Sequence, residues 1–198
     1  MNEDFIKIKD LVFRFSYLGT KTISQNGTTL IGPAPFIAPE AWLNSLYLPL
    51  SLDDISRIEK QLGKQIPKSY SEFLTSFSNG LNILCSTLSL FGLRYNYARN
   101  LIDCRQPYSI IFYNIYEKPT NSNEDMFFIG GYNWDGSHLY INSSNEICYC
   151  SRYDANPLKK WPSLTIMLLS EIERLYSLCN EKGEQYDEQI PTIPITYN

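Results

Sequence analysis

Cys148 and Cys150 lie two residues apart in Ile147-Cys148-Tyr149-Cys150, a stretch with the look of a strand. Residues i and i+2 of a strand share a face, so the two sulfurs could bind a metal together or oxidise to one another. A zinc site wants four ligands, and neither the other cysteines (Cys85, Cys104, Cys179) nor the single histidine, His138, offers a matching spacing. The pair therefore reads as small residues packed under a helix. His138 would have to carry any Ser-His-Asp or Cys-His chemistry alone, and no Gly-x-Ser-x-Gly elbow presents a nucleophile to it. Its strand face-mates, Tyr140 and Asn142, put it on the more polar side, with Leu139 and Ile141 turned to the core. Gly130-Gly131 leads into another strand, so it lacks the free helix N–H groups that cradle a phosphate; a bulge or a close-packing point is the better reading. Asp53 and Asp54 fall in the first turn of a helix, where negative charge suits the dipole. These residue types and spacings predict no enzyme, no metal and no cofactor.

The chain has 198 residues, 43% of them apolar, 14% aromatic and 19% charged. That is enough for one generous domain, or one domain with an appendage, and for a core that needs no disulfide. The aromatic share excludes wholesale disorder. A net charge of −4 and a pI near 5.1 argue against a nucleic-acid partner. No apolar run approaches the roughly 20 residues of a membrane helix, so no membrane partner is expected. The opening Met1-Asn2-Glu3-Asp4-Phe5 has no signal-peptide character. A cytoplasmic setting follows as the expectation, with the five cysteines as free thiols. Residues 132–198 carry nine acidic and five basic side chains, which accounts for the whole net charge. Glu171, Glu173, Glu181, Glu184, Asp187 and Glu188 supply most of it, either as a solvated helix face and tail or as a surface for a basic partner.

Periodicity supplies the elements that must hold these residues. Leu11, Phe13, Phe15 and Tyr17 alternate, which predicts a strand over 5–18. Gln25-Asn26-Gly27 is a turn, and Thr28 to Ile31 pairs back as a short strand. Ser51 and Asp54 have the form of a capping box. The helix they open buries Leu52, Ile55, Ile58 and Leu62 and stops at Gly63. Pro67 starts a second helix with Tyr70, Phe73, Leu74 and Phe77 on one face, closed by Asn79-Gly80. A strand over Thr87–Phe91, a short helix over Tyr95–Cys104 and a strand over Ser109–Tyr116 follow. Met126–Tyr132, Ser137–Asn142 and Glu146–Ser151 form a three-stranded meander, joined by Asn133-Trp134-Asp135-Gly136 and Ser143-Ser144-Asn145. Trp161 opens a last helix with Leu164, Leu168, Ile172, Leu175 and Cys179 on one face, ended by Gly183; an extended tail follows. The fold class is α+β, an antiparallel sheet (the meander plus N-terminal strands) packed against helices. The divisions are residues 1–48 as an N-terminal extension packed on the core, 49–183 as the main domain and 184–198 as an acidic tail.

Residues 51–91 and 124–180 resemble the SUKH superfamily, which includes the yeast cell-wall assembly regulator and many bacterial immunity proteins. The first half of the resemblance runs Leu52-Asp53-Asp54-Ile55, Ile58-Glu59, Leu62-Gly63, Ile66-Pro67-Lys68-Ser69-Tyr70, Phe73-Leu74 and Asn79-Gly80. The second runs Phe127-Phe128-Ile129-Gly130, Asp135-Gly136, Leu139-Tyr140-Ile141 and Ile147-Cys148-Tyr149, then Trp161 with Leu164 onward. The resemblance implies a non-catalytic binding protein. Its bacterial side implies an immunity protein that neutralises a cognate polymorphic or contact-dependent toxin domain, many of which are nucleases with basic clefts, by direct binding. Its eukaryotic side implies a regulatory or scaffolding adapter, a branch whose long disordered flanks have little counterpart here. For such a partner the candidate contacts are Tyr132, Trp134, Asp135 and Tyr153 around the Asp-Gly turn, as anchors or as simple hairpin packing. Glu171, Glu173 and Glu181 join them as acids that steer association.

Overall fold

Phe5, Ile8, Val12 and Phe15 recur every three or four residues, and all are buried. That spacing winds a helix, and it overrides the alternation of Leu11, Phe13, Phe15 and Tyr17 that predicts a strand. In the computed structural model, which describes residues 3–98, 100 and 104–194, the first element is helix α1 (Glu3–Val12), continued by a 3₁₀ turn over Phe13–Leu18. Strands β1 (Thr20–Thr22), β2 (Thr29–Pro33) and β3 (Trp42–Leu46) follow. Helices α2 (Leu52–Leu62) and α3 (Lys68–Ser76) lead to β4 (Leu81–Ile83) and β5 (Leu88–Leu90). Helix α4 (Ile110–Ile115) precedes β6 (Phe127–Tyr132), β7 (His138–Ile141), β8 (Ile147–Cys150) and β9 (Lys159–Trp161), and helix α5 (Leu164–Ser177) comes last. The strands form one nine-stranded antiparallel sheet in which spatial order is chain order. The fold is α+β, as the sequence predicts.

The capping signals around α2 hold in atomic detail, whereas Leu52, expected on the buried face, is exposed at the first turn and Ile55 and Ile58 carry the burial. The Ser51 hydroxyl accepts from the Asp54 N–H at 3.2 Å, and the Asp54 carboxylate accepts from the Ser51 N–H at 3.2 Å. Gly63 ends the helix in the left-handed conformation at φ +64°. Four readings change. Ser109–Tyr116 is not a strand; the Ser109 hydroxyl accepts from the Phe112 N–H and starts α4. Tyr95–Ala98 and Cys104 are not helical, while residues 99 and 101–103 of that expected helix lie outside the described residues. Trp161 closes β9 rather than opening α5, whose cap is Ser163. The helix ends at Ser177, and Gly183 sits in a later turn. Residues beyond it fold back: Thr192 and Ile193 are buried, so this segment lies on the body as far as residue 194.

The two faces of the sheet differ in chemistry. One transverse row reads Leu46, Leu81, Leu90, Gly130, Leu139 and Tyr149. It meets a core supplied by α1, α2, α3 and α5, where Phe5 stacks on Phe77 at 5.4 Å and Phe15 meets Tyr176 edge-on at 5.0 Å. The opposite face carries Leu30, Ser45, Asn82, Ser89, Gly131, His138 and Cys150 in register. Gly130 and Gly131 fulfil both readings made of them. The register slips between Phe128 and Gly130. A Cβ on either glycine would lie within 2.4 Å of a backbone oxygen, that of Ser89 or that of Ser137.

Candidate partner-binding surface

Asn133-Trp134-Asp135-Gly136 joins β6 to β7 as an Asx-type turn: the Asp135 carboxylate accepts from the Ser137 N–H at 3.0 Å, and Gly136 takes φ +72°. The turn pushes Trp134 outward, 43% exposed. Arg152 lies against Gly136, and its guanidinium sits 5.5 Å from the ring of Tyr153, which is 79% exposed. Arg152 thus places Tyr153 beside the turn that carries Trp134 and Asp135.

Sequence reasoning missed the neighbour that completes this face. Helix α4 lies beside β6 where β5 has ended. The Asn114 side chain holds it there, donating to the Phe128 carbonyl at 2.7 Å and accepting from the Phe128 N–H at 3.0 Å. One side-chain amide thereby takes the place of an absent strand partner. The helix presents Phe112, Ile115 and Tyr116 to solvent, and Tyr108 is exposed just before it. Tyr113 meets Tyr108, Phe112 and His138 edge-on at 6.4, 5.8 and 6.2 Å. The signal was the aromatic density of residues 108–116, a stretch the sequence reading made a strand over Ser109–Tyr116.

Tyr108 and Tyr113, Asn133 and Gly136 of the turn, Ser137 after it and His138 of β7 line a small cavity of about 140 Å³. His138 shares its face with Tyr140 on the more polar side of the sheet, as expected, and it is buried there at 4% exposure. Burial lowers its pKa, with Glu117, Arg152 and Asp135 as the charged groups around it.

Two candidate contacts are inside the protein. Tyr132 is 2% exposed and Glu171 1%. The Tyr132 hydroxyl donates to the Glu171 carboxylate at 2.9 Å, Arg174 donates twice to the same oxygen at 2.8 and 2.6 Å, and Lys159 pairs with the other oxygen at 3.2 Å. Position 171 follows Leu164, Met167 and Leu168 on the buried stripe of α5, so its spacing, not its charge, decides where it points. Neither residue can act as a surface contact. Glu173 is on the solvent side of α5, and Glu181 is exposed in the turn beyond it, where Tyr17 donates to its carbonyl. These two acids belong to the helix layer on the core side, apart from the aromatic group.

Cys148 and Cys150 pack with Phe128, Tyr140 and Met126. The cover there is a loop, not a helix: the Tyr140 hydroxyl donates to the Ala155 carbonyl at 3.0 Å. Burial raises both thiols, Cys150 up to about 12. Among the described residues no group of three or more His, Cys, Asp or Glu is placed to hold a metal ion, and no helix is long and apolar enough to cross a membrane.

A family profile described as SMI1 / KNR4 family (SUKH-1) matches residues 49–170. The chain belongs to the SMI1/KNR4 family, SUKH-1. No curated protein and no solved structure matches it. The SUKH-1 match begins just before α2 and ends within α5, so it contains the Asp-Gly turn, α4 and Tyr153. Helix α1 and strands β1 to β3 precede it. SUKH-1 membership is consistent with immunity-type or SMI1/KNR4-like proteins and with protein–protein interaction in general.

Proposed function

We propose that this SUKH-1 protein is a non-catalytic binding protein of the immunity type, which neutralises a toxin domain by direct contact through the aromatic face around the Asp-Gly turn. The observation that carries the reading is the grouping of exposed Tyr108, Phe112, Tyr116, Trp134 and Tyr153 about one turn and one short helix. Exposed clusters of large aromatics mark protein interaction sites, and Tyr and Trp are the residues most often found at hot spots. Side-chain chemistry supports a non-catalytic role, since the single histidine is enclosed and its Nδ1 has no hydrogen-bond partner among the described residues. The acidic surplus after residue 131 supports a basic partner and rapid, salt-sensitive association.

The test is co-expression with the toxin domain encoded by the neighbouring gene. Wild-type protein should rescue growth and bind the purified domain. Trp134→Ala and Tyr153→Ala should each weaken binding by about 2 kcal/mol or more, roughly 30-fold, while melting with the wild type. Failure of the wild type to bind or rescue would sink the proposal, and full affinity in both variants would move the interface elsewhere.

A further inference from the structure

The Ser137 hydroxyl and Nδ1 of His138 are buried polar atoms with no hydrogen-bond partner among the described residues. Both residues line the 140 Å³ cavity beneath the aromatic face. Unpaired buried polar groups are rare in native proteins and call for an explanation. In the neutral ring protonated at Nε2, Nδ1 is an acceptor without a donor. The serine oxygen can accept beside it. The cavity is far smaller than the roughly 300–1,000 Å³ of sites that take whole small molecules or cofactors, so it fits one side-chain head group. Its walls include Tyr108, Tyr113 and Phe91, with Phe91 and Tyr113 stacked at 3.9 Å. Aromatic walls favour a planar cation. Of the charged groups facing the imidazole, Glu117 and Asp135 are carboxylates, and the one cation, Arg152, is engaged with the Tyr153 ring.

We propose that this cavity is a recognition pocket for an arginine side chain of the protein partner, whose guanidinium donates to His138 Nδ1 and Ser137 Oγ. This rests on reading the aromatic face as the partner-binding surface. It adds what that face selects: an exposed arginine, as a basic toxin domain would supply.

His138 is the only histidine in the chain, so its imidazole gives unique nuclear magnetic resonance signals in the full-length protein. N-acetyl-arginine amide should displace them saturably. N-acetyl-citrulline amide, of the same shape but uncharged, should bind roughly tenfold more weakly, and acetate should have no effect. Ser137→Ala should weaken the arginine response about fivefold or more. Its melting temperature should be unchanged or higher, since the lost hydroxyl has no partner. Absence of saturable displacement, an equal response to citrulline, or indifference to Ser137→Ala each overturns the proposal. The titration needs no partner protein, so a failed growth rescue with an intact arginine response defeats the immunity reading alone.

Discussion

His138 couples the interior of the protein to pH. Burial holds its folded-state pKa below the 6.5 of an unperturbed imidazole. Between those two values the unfolded chain binds the extra proton, so stability is full above about pH 6.5 and falls as the pH drops through the window. Asp54, Glu146 and Asp154 are shifted down from ordinary carboxylate values and titrate below it. Denaturant midpoints measured from pH 7.5 down to 5 should therefore decline, with a slope of at most about 1.4 kcal/mol per pH unit for one proton. His138→Gln should flatten that limb; an unchanged slope would place the proton elsewhere. The cysteines give a second residue-level test. Burial keeps Cys148 and Cys150 protonated near neutral pH, whereas Cys104 is exposed. A disulfide reagent at pH 8 should label Cys104 first and reach Cys148 and Cys150 only after denaturant is added. Rapid labelling of either in the folded protein would mean that their cover opens. The Cys148–Cys150 reading was legible because a strand's period fixes which side chains share a face. The fate of Glu171 was written in its distance from Leu164 and Leu168, but a count of charges along the chain does not weigh that distance.

Helix α5 and strand β9 meet at Trp161, which is buried with Lys159 4.7 Å from its ring. Trp161→Ala should cost roughly 3–5 kcal/mol in a denaturation experiment; a loss below about 1 kcal/mol would mean that the ring contributes little packing. Three residues along from Glu171 on the same helix, Arg174 also donates to the Thr192 carbonyl, and Lys159 donates to that of Pro194. Glu171 thus orients both cations that hold the C-terminal segment. Glu171→Gln should cost about 1–3 kcal/mol, less than the ~3–5 of a fully enclosed pair because both cations reach solvent. Limited proteolysis should then cut between residues 184 and 194 well before the body; equal cutting rates in variant and wild type would show that the segment is held by packing alone. At this scale the sequence was most legible where a turn or cap has its own chemistry: Ser51 with Asp54, Gly63 with Pro67, and Asp135-Gly136. It was least legible in β3, β4 and β9, of five residues or fewer, because so short a strand has too few side chains to show a period. In α1 two periods compete, and burial chose the helical one; in α4 the Ser109 cap decides.

The whole molecule is a single sheet whose first three strands lie outside the SUKH-1 match but share its core. Phe5 of α1 stacks on Phe77 at the C-terminal cap of α3, and β3 pairs with β4. Removing residues 1–48 should expose the β4 edge together with the apolar faces of α3 and α5, and such edges invite pairing between chains. The truncated protein should therefore elute as aggregate or oligomer in size-exclusion chromatography; a monodisperse, cooperatively melting fragment would make the N-terminal elements a dispensable layer. Strand order that follows chain order has a further consequence, for synthesis. Each strand's partner is its immediate neighbour, so the sheet can be laid down hairpin by hairpin as the chain leaves the ribosome, without waiting for a distant segment. Helix α1 is the exception. It is made well before α5, against which it packs, and Tyr17 just beyond it bonds to the backbone of Glu181. Helix α1 therefore lacks this partner until α5 has emerged, and synthesis of α5 becomes the step that seals the core.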